Sequence, residues 1–267
     1  MKSILAIDTA WTATEPTGIA LLKEEDMSWS CVALAPGYAD FYALAEGKAI
    51  DWEQKPEGEF PDINRLLNSA KQLLGQDMIS LITVDMPVST VPILGRREAE
   101  SAISKAFGAM GCAAHSPSPL RPGKIGQAYS EGCFSNGYQL GVTTTPHGQT
   151  GHLLEVYPHP ALIRLMQADY RLPYKAGKTR KFWPEASVDE RKANLMKIYS
   201  DILLALKEKI QAIPLDLPDD LPSRPFSYFK RFEDTLDALV CGWIGMKYLV
   251  GEALPYGDNT GAIWVPK

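Results

Sequence analysis

Four aspartates stand where a metal ion could be held. Asp8 ends the apolar run SILAID, and Asp85 ends the apolar stretch MISLITVD. Each acid therefore closes a candidate strand that is apolar on both faces, at the end of an open α/β sheet where sites form. If the two strands are neighbours, their backbones lie about 4.8 Å apart. Two buried carboxylates at that spacing repel, and one keeps its proton unless a cation intervenes. The plainer reading of either residue alone is a turn cap, because Asp readily bonds the backbone just beyond itself.

A second acidic pair comes from the far end of the chain, in FEDTLDALVCGWIGMKYLVG. Asp234 and Asp237 are three residues apart and so share a helix face. Asp234, Ala238, Cys241 and Gly245 recur at i, i+4, i+7 and i+11, a stripe of small residues suited to close packing on a sheet, and Asp237 flanks it. Acids at a helix start ordinarily complement the helix dipole. That does not account for acids aligned with the packing stripe, or for acids two turns inside a helix beginning near Tyr228. Glu233 reads as a solvated or supporting member. Four carboxylates are hard oxygen ligands that suit Mg²⁺ or Mn²⁺. Two such ions held about 3.5–4 Å apart serve in-line phosphoryl displacement.

Other candidates surround these four. Glu155 lies inside the apolar run LLEVYP and needs a partner there, either as a further catalytic acid or in an ion pair with a base such as Arg96. Arg96 and Arg97 follow Asp85 closely and could contact a substrate phosphate or cover a helix surface. The stretch YRLPYKAGKTRKFWP carries Lys175, Lys178 and Arg180 among aromatics, a composition suited to gripping a single strand, although a solvated basic face is the plainer account. The four histidines make no ligand pattern and read as surface residues.

These side chains must be positioned by regular elements. SILAID, GIALLK and SWSCVALA read as three strands joined by short turns, an antiparallel meander. Residues 37–60 read as irregular. Helical spacing follows over DINRLLNSAKQLL, closed by Gly75, then the strand ending at Asp85, a helix over 96–108, a proline-rich loop and a helix over about 123–136. LLEVYP is a further strand. Ser187 and Glu190 form an S-x-x-E capping box that starts another helix, the last long helix covers about 226–250, and GAIWVPK reads as a closing strand. Late strands that alternate with helices should run parallel to the first. The expectation is one α/β domain over 1–267 with a helical insertion at about 160–225.

Bulk properties narrow the classes. The 267 residues are 45% hydrophobic and 22% charged, as in ordinary globular proteins, and no apolar run is long enough to span a bilayer. The start lacks the features of a signal peptide. Four cysteines without CxxC spacing or a nearby zinc-ligand histidine imply reduced thiols and a cytoplasmic location. A net charge of −5 argues against a surface coated for non-specific nucleic-acid binding, but a local basic patch could still guide a strand into an acidic pocket. Oligomeric state is not legible.

An acid closing strand one (AIDTA), an acid closing strand four (TVDMP) and the late helix DTLDALVCGW together resemble the catalytic pattern of the ribonuclease H-like superfamily, and the helix resembles that of RuvC-type resolvases. Across most of its length, through IDTAW, VDMP with Arg96 and Arg97, LLEVYPHP, YKAGKTRKFWP and DTLDALVCGW, the chain is similar to domain of unknown function 429, described as predicted RNase H-like nucleases. The resemblance implies a mixed sheet of three antiparallel then parallel strands with helices on both faces. It also implies metal-dependent cleavage of RNA, DNA, a hybrid or a branched junction. Two alternatives remain on the same fold. An actin-like or sugar-kinase-type phosphotransferase would need a duplicated fold and Gly-rich phosphate loops. A non-catalytic nucleic-acid-binding protein would have little reason to keep unpaired buried acids.

Overall fold

The computed structural model describes residues 2–76 and 78–267. The chain opens with β1 (Ser3–Asp8), β2 (Gly18–Glu25) and β3 (Ser28–Ala35), which pair antiparallel in sequence order. Ile4, Leu5, Ala6 and Ile7 are all fully buried, as expected of a strand covered on both faces. The register runs from Ser3 opposite Lys23 to Asp8 opposite Gly18, so β2 begins beside the acid that ends β1.

Residues 37–60 are not wholly irregular, as α1 (Tyr38–Ala45) occupies their start. Tyr38, Phe41 and Tyr42 bury its one apolar face. Gly37, at its N-cap, offers no side-chain bond, so the helix lacks a capping signal at its start. In contrast, α2 (Ile63–Leu74) begins where Asp62 accepts from the Arg65 N–H at 2.9 Å and ends at Gly75 with φ 62°.

The parallel half follows. β4 (Leu81–Val84) lies against β1, and β6 (His152–Val156) lies against β4. Between them come α3 (Glu98–Phe107), α4 (Lys124–Ser135) and the short β5 (Gln139–Leu140), which runs parallel along the far edge of β6. The chain then forms α5 (Pro158–Met166), α6 (Thr179–Phe182), α7 (Val188–Lys207) and α8 (Phe226–Leu249). It closes with an antiparallel hairpin, β7 (Ala253–Gly257) and β8 (Ala262–Pro266). β8 is the expected closing strand; β5 and β7 carry no separate signal in the sequence. Ser187 and Glu190 cap α7 reciprocally, at 3.2 and 2.7 Å.

The strand order is β3-β2-β1-β4-β6-β8-β7, antiparallel on one side of β1 and parallel from β1 through β8. This α/β arrangement is consistent with an RNase H-like fold. Pleating sends Leu5 and Ile7 into a core with α1, α2 and α4, while Ile4 and Ala6 face α8. The stretch over about 160–225 packs into this second core through Tyr174, Leu195, Tyr199, Ile202 and Leu206.

The small-residue stripe of α8 meets the sheet as expected. A Cβ on Gly242 would lie 2.6 Å from Leu22, and one on Gly245 would lie 3.0 Å from Thr83. A larger side chain at either position would have to displace the side chains of Leu22 or of Thr83 and Ile4, so the small residues let α8 pack closely on the strands.

Candidate metal centre

The backbone brings Asp8 and Asp85 together. Val84 is the register partner of Ile7, and the Asp85 N–H donates to the Ile7 carbonyl at 2.9 Å, so the two acids follow side by side at the strand tips. By the alternation of the pleat, Asp8 shares the face of Ile4 and Ala6, which is the face covered by α8. Both carboxylates are half-buried, and neither accepts a hydrogen bond from a described residue.

The helix acids reach the same place. Asp234 and Asp237 are each 1% exposed, well inside a helix that begins at Phe226, so the helix dipole is not their explanation. Burial pushes the Asp8 carboxyl well above the usual range, and repulsion from Asp237, Asp234 and Asp85 adds to it, while Lys175 pulls it back. Asp85 is pushed up to about 8 by burial and by Asp237, with Lys175 again opposing and Glu155 adding. Asp234 is pushed up to about 7 by burial, with Lys230 opposing and Glu233 adding. Carboxylates from opposite ends of the chain thus feel one another directly.

Two lysines partly neutralise the cluster. Lys175 pairs with Asp237 and lies 3.2 Å from Glu233, and Lys230 pairs with Asp234 and lies 3.3 Å from Glu233. Glu233 is 3% exposed and also accepts from the Ala176 N–H at 2.7 Å. It is therefore a buried anchor for the 175–176 turn, not a solvated acid. Burial would raise its pKa, but Lys175, Lys230 and that N–H outweigh burial and hold it below the usual range. Asp234 Oδ2 is buried without a hydrogen-bond partner among the described residues. Among those residues, no three His, Cys, Asp or Glu side chains form a ready-made cation cage. The ammonium groups hold Asp234, Asp237 and Glu233 instead. The orphaned oxygen, the two strand acids without hydrogen bonds and the all-oxygen donor set still fit a hard divalent ion.

The histidines are not all at the surface. His152 is 7% exposed, with Nδ1 3.0 Å from the Thr150 carbonyl, and His159 is 8% exposed. His159 lies between Arg171 and Tyr174. Arg171 Nη2 donates to His159 Nε2 at 2.5 Å, and a guanidinium has only donors, so Nε2 accepts and Nδ1 carries the hydrogen. Nδ1–H then meets the Tyr174 oxygen at 3.1 Å, and the Tyr174 hydroxyl donates to Asp237 Oδ1 at 2.7 Å. Burial first, then Lys175, Arg171, Lys178 and His115, keep His159 neutral by pushing its pKa well below the usual value. The sequence offered only spacing for these residues, and nothing in it links His159 to Asp237.

The basic candidates divide. Lys175 and Lys178 line a pocket of about 470 Å³ together with Asp85, Glu233, Trp11 and Tyr157. Arg180 is exposed on α6. Arg96 donates to the Ala114 and Glu100 carbonyls and to the Ser104 and Ser116 hydroxyls, at 2.7 to 3.3 Å, so it ties a loop to α3. Arg97 pairs with Glu100 and Glu155, reaching Glu155 at 2.6 and 2.9 Å and the Val88 carbonyl at 2.8 Å. Glu155 also accepts from the Val88 N–H at 3.1 Å. Its ion-pair partner is thus Arg97 and not Arg96. Both arginines have their donors engaged within the chain, which leaves little for a substrate phosphate.

A mixed α/β sheet with an acidic cluster at the tips of its first two parallel strands defines the class of architecture. The chain belongs to the family described as Protein of unknown function (DUF429), whose model matches residues 24–260. That span includes Asp85, Glu155, Asp234 and Asp237 and begins after Asp8. No curated protein and no solved structure matches the chain.

Proposed function

We propose that this protein is a metal-dependent nuclease that hydrolyses phosphodiester bonds, with Asp8, Asp85, Asp234 and Asp237 holding one or two Mg²⁺ or Mn²⁺ ions. The observation that carries this reading is that α8, bearing Asp234 and Asp237, packs its backbone against Gly18, the register partner of Asp8, while Asp85 follows beside Asp8 at the strand tips. Bound there, such ions supply an activated water and stabilise a leaving oxygen. Tyr174 and Lys175 hold the two oxygens of Asp237, and Lys230 holds one oxygen of Asp234, leaving Oδ2 of that residue to be satisfied. Lys178 at the pocket wall would meet a phosphate of the substrate, and Trp11 and Tyr157 offer faces for a base.

The test is a panel of end-labelled RNA, DNA, hybrid and branched substrates incubated with Mn²⁺. Wild-type protein should cleave at least one class, and Asp85→Asn should reduce that cleavage to background. Equal cleavage by the two proteins would remove this site from the chemistry.

The lysines favour a second reading. Ammonium groups already pair with Asp237, Asp234 and Glu233, so these acids have counter-charges without a metal ion, as a non-catalytic nucleic-acid-binding protein on this fold would require. Calorimetry decides between the two, since the second reading requires that neither Mg²⁺ nor Mn²⁺ bind.

A further inference from the structure

Part of the pocket wall is not needed to hold metal. Arg171 and Lys178 both line it, with the exposed His115 beside them, and no carboxylate lies within ion-pair distance of either cation among the described residues. The Arg171 Nε–H is buried without a partner, while Nη2 is held by His159. Lys178 is exposed at the pocket wall, where partial desolvation and the like charges of Arg171, Lys175 and Lys181 lower its pKa against a smaller pull from Glu233. Gly177 lines the same wall, and a Cβ added there would meet nothing within 4 Å, so packing does not require a glycine. A glycine in open space beside two uncompensated cations allows an anion to approach the backbone closely.

We infer that Arg171, Lys178 and the backbone at Gly177 form a subsite for a phosphate monoester, the terminal phosphate of a nucleotide or oligonucleotide. The charge decides the class. A phosphate monoester carries about −1.5 to −2 at neutral pH and matches two free cations, whereas a diester within a strand carries a single charge. The arginine fork and the lysine point charge are both suited to phosphate oxygens. The pocket volume of about 470 Å³ suits a single bound end and not a long duplex footprint. His159 accepts from one guanidinium nitrogen and so orients Arg171 at the wall. The inference rests on the nuclease reading for the identity of the ligand, but phosphate recognition does not require cleavage.

Binding is measured in EDTA by fluorescence anisotropy, using full-length protein and one short single strand ending in 5′-phosphate, 3′-phosphate or hydroxyl. One of the phosphorylated strands should bind about tenfold more tightly than the hydroxyl strand, the value of one charge-assisted contact. Lys178→Ala should erase that difference, Lys178→Arg should restore most of it, and inorganic phosphate should compete. The two phosphorylated arms identify which end is read. Equal affinity for all three strands, or no measurable binding, overturns the subsite. If the end preference is present and the Mn²⁺ cleavage panel is blank, the subsite stands and the nuclease reading fails. If internal cleavage occurs without an end preference, the nuclease reading stands and the subsite fails.

Discussion

A methyl group on Gly18 would fall 2.1 Å from the backbone oxygen of Asp234. Gly18 is also the register partner of Asp8. One glycine therefore sets how closely the late helix approaches the first strand, and so how closely acids from the two ends of the chain can come together.

Gly18→Ala should move α8 outward. Forced overpacking costs about 1–3 kcal/mol, and the displacement should also weaken Mn²⁺ binding. Urea denaturation and calorimetry read the two effects separately. Wild-type stability and affinity in this variant would mean that the contact yields easily and does not set the site.

The raised acids make a signed pH prediction. Burial raises Asp85 to about 8, with Asp237 adding and Lys175 opposing, and raises Asp234 to about 7 against the pull of Lys230. The native state then holds protons that the unfolded chain has released, so metal-free stability falls as pH rises from about 4 through about 8. A bound cation opposes this loss, and protons compete with it. Added Mn²⁺ should therefore raise Tm more at pH 8.5 than at pH 6. A thermal shift that is equal or larger at pH 6 would contradict a carboxylate-held ion.

Glu155→Gln separates support from ligation. Glu155 is 3% exposed and pairs with Arg97, whose side chain is 10% exposed. Breaking one arm of a buried pair costs about 3 kcal/mol. Stability should fall by that order while Mn²⁺ affinity stays unchanged. A loss of affinity with little loss of stability would instead make Glu155 a ligand.

Lys175→Met removes a cation shared by Asp237 and Glu233. The stranded acids should destabilise the metal-free protein at pH 8 by about 3–5 kcal/mol, and the loss should shrink at pH 5 as carboxyls take up protons. Denaturation at both pH values, with and without Mn²⁺, tests this. Recovery on adding Mn²⁺ is expected, because the ion then supplies the missing charge.

Much of the framework is legible in local sequence. β1, β2, β3 and α2 follow their apolar patterns, and α7 follows its capping box. The helix at Tyr38–Ala45 is less visible because it is short and uncapped, although Tyr38, Phe41 and Tyr42 do recur at helical spacing. β5 is two residues long, too short for a period to show. The site divides in the same way. Acids at strand ends and on a small-residue stripe are visible as types and spacings. The engagement of Arg96 and Arg97 inside the chain is not, because it depends on contacts with residues as distant as Glu155.

Sequence alone determined most of the long elements, the burial of the first strand and the stripe that seats α8, since each follows from neighbours within a few turns or one pleat. Only tertiary structure decided which charges meet. Lys175 comes to lie against Asp237, and His159 reaches Asp237 through Tyr174, across separations of 62 and 63 residues for the two direct contacts. Electrostatic and hydrogen-bond partners are set by distance in space, and the path of the chain between them leaves no periodic trace.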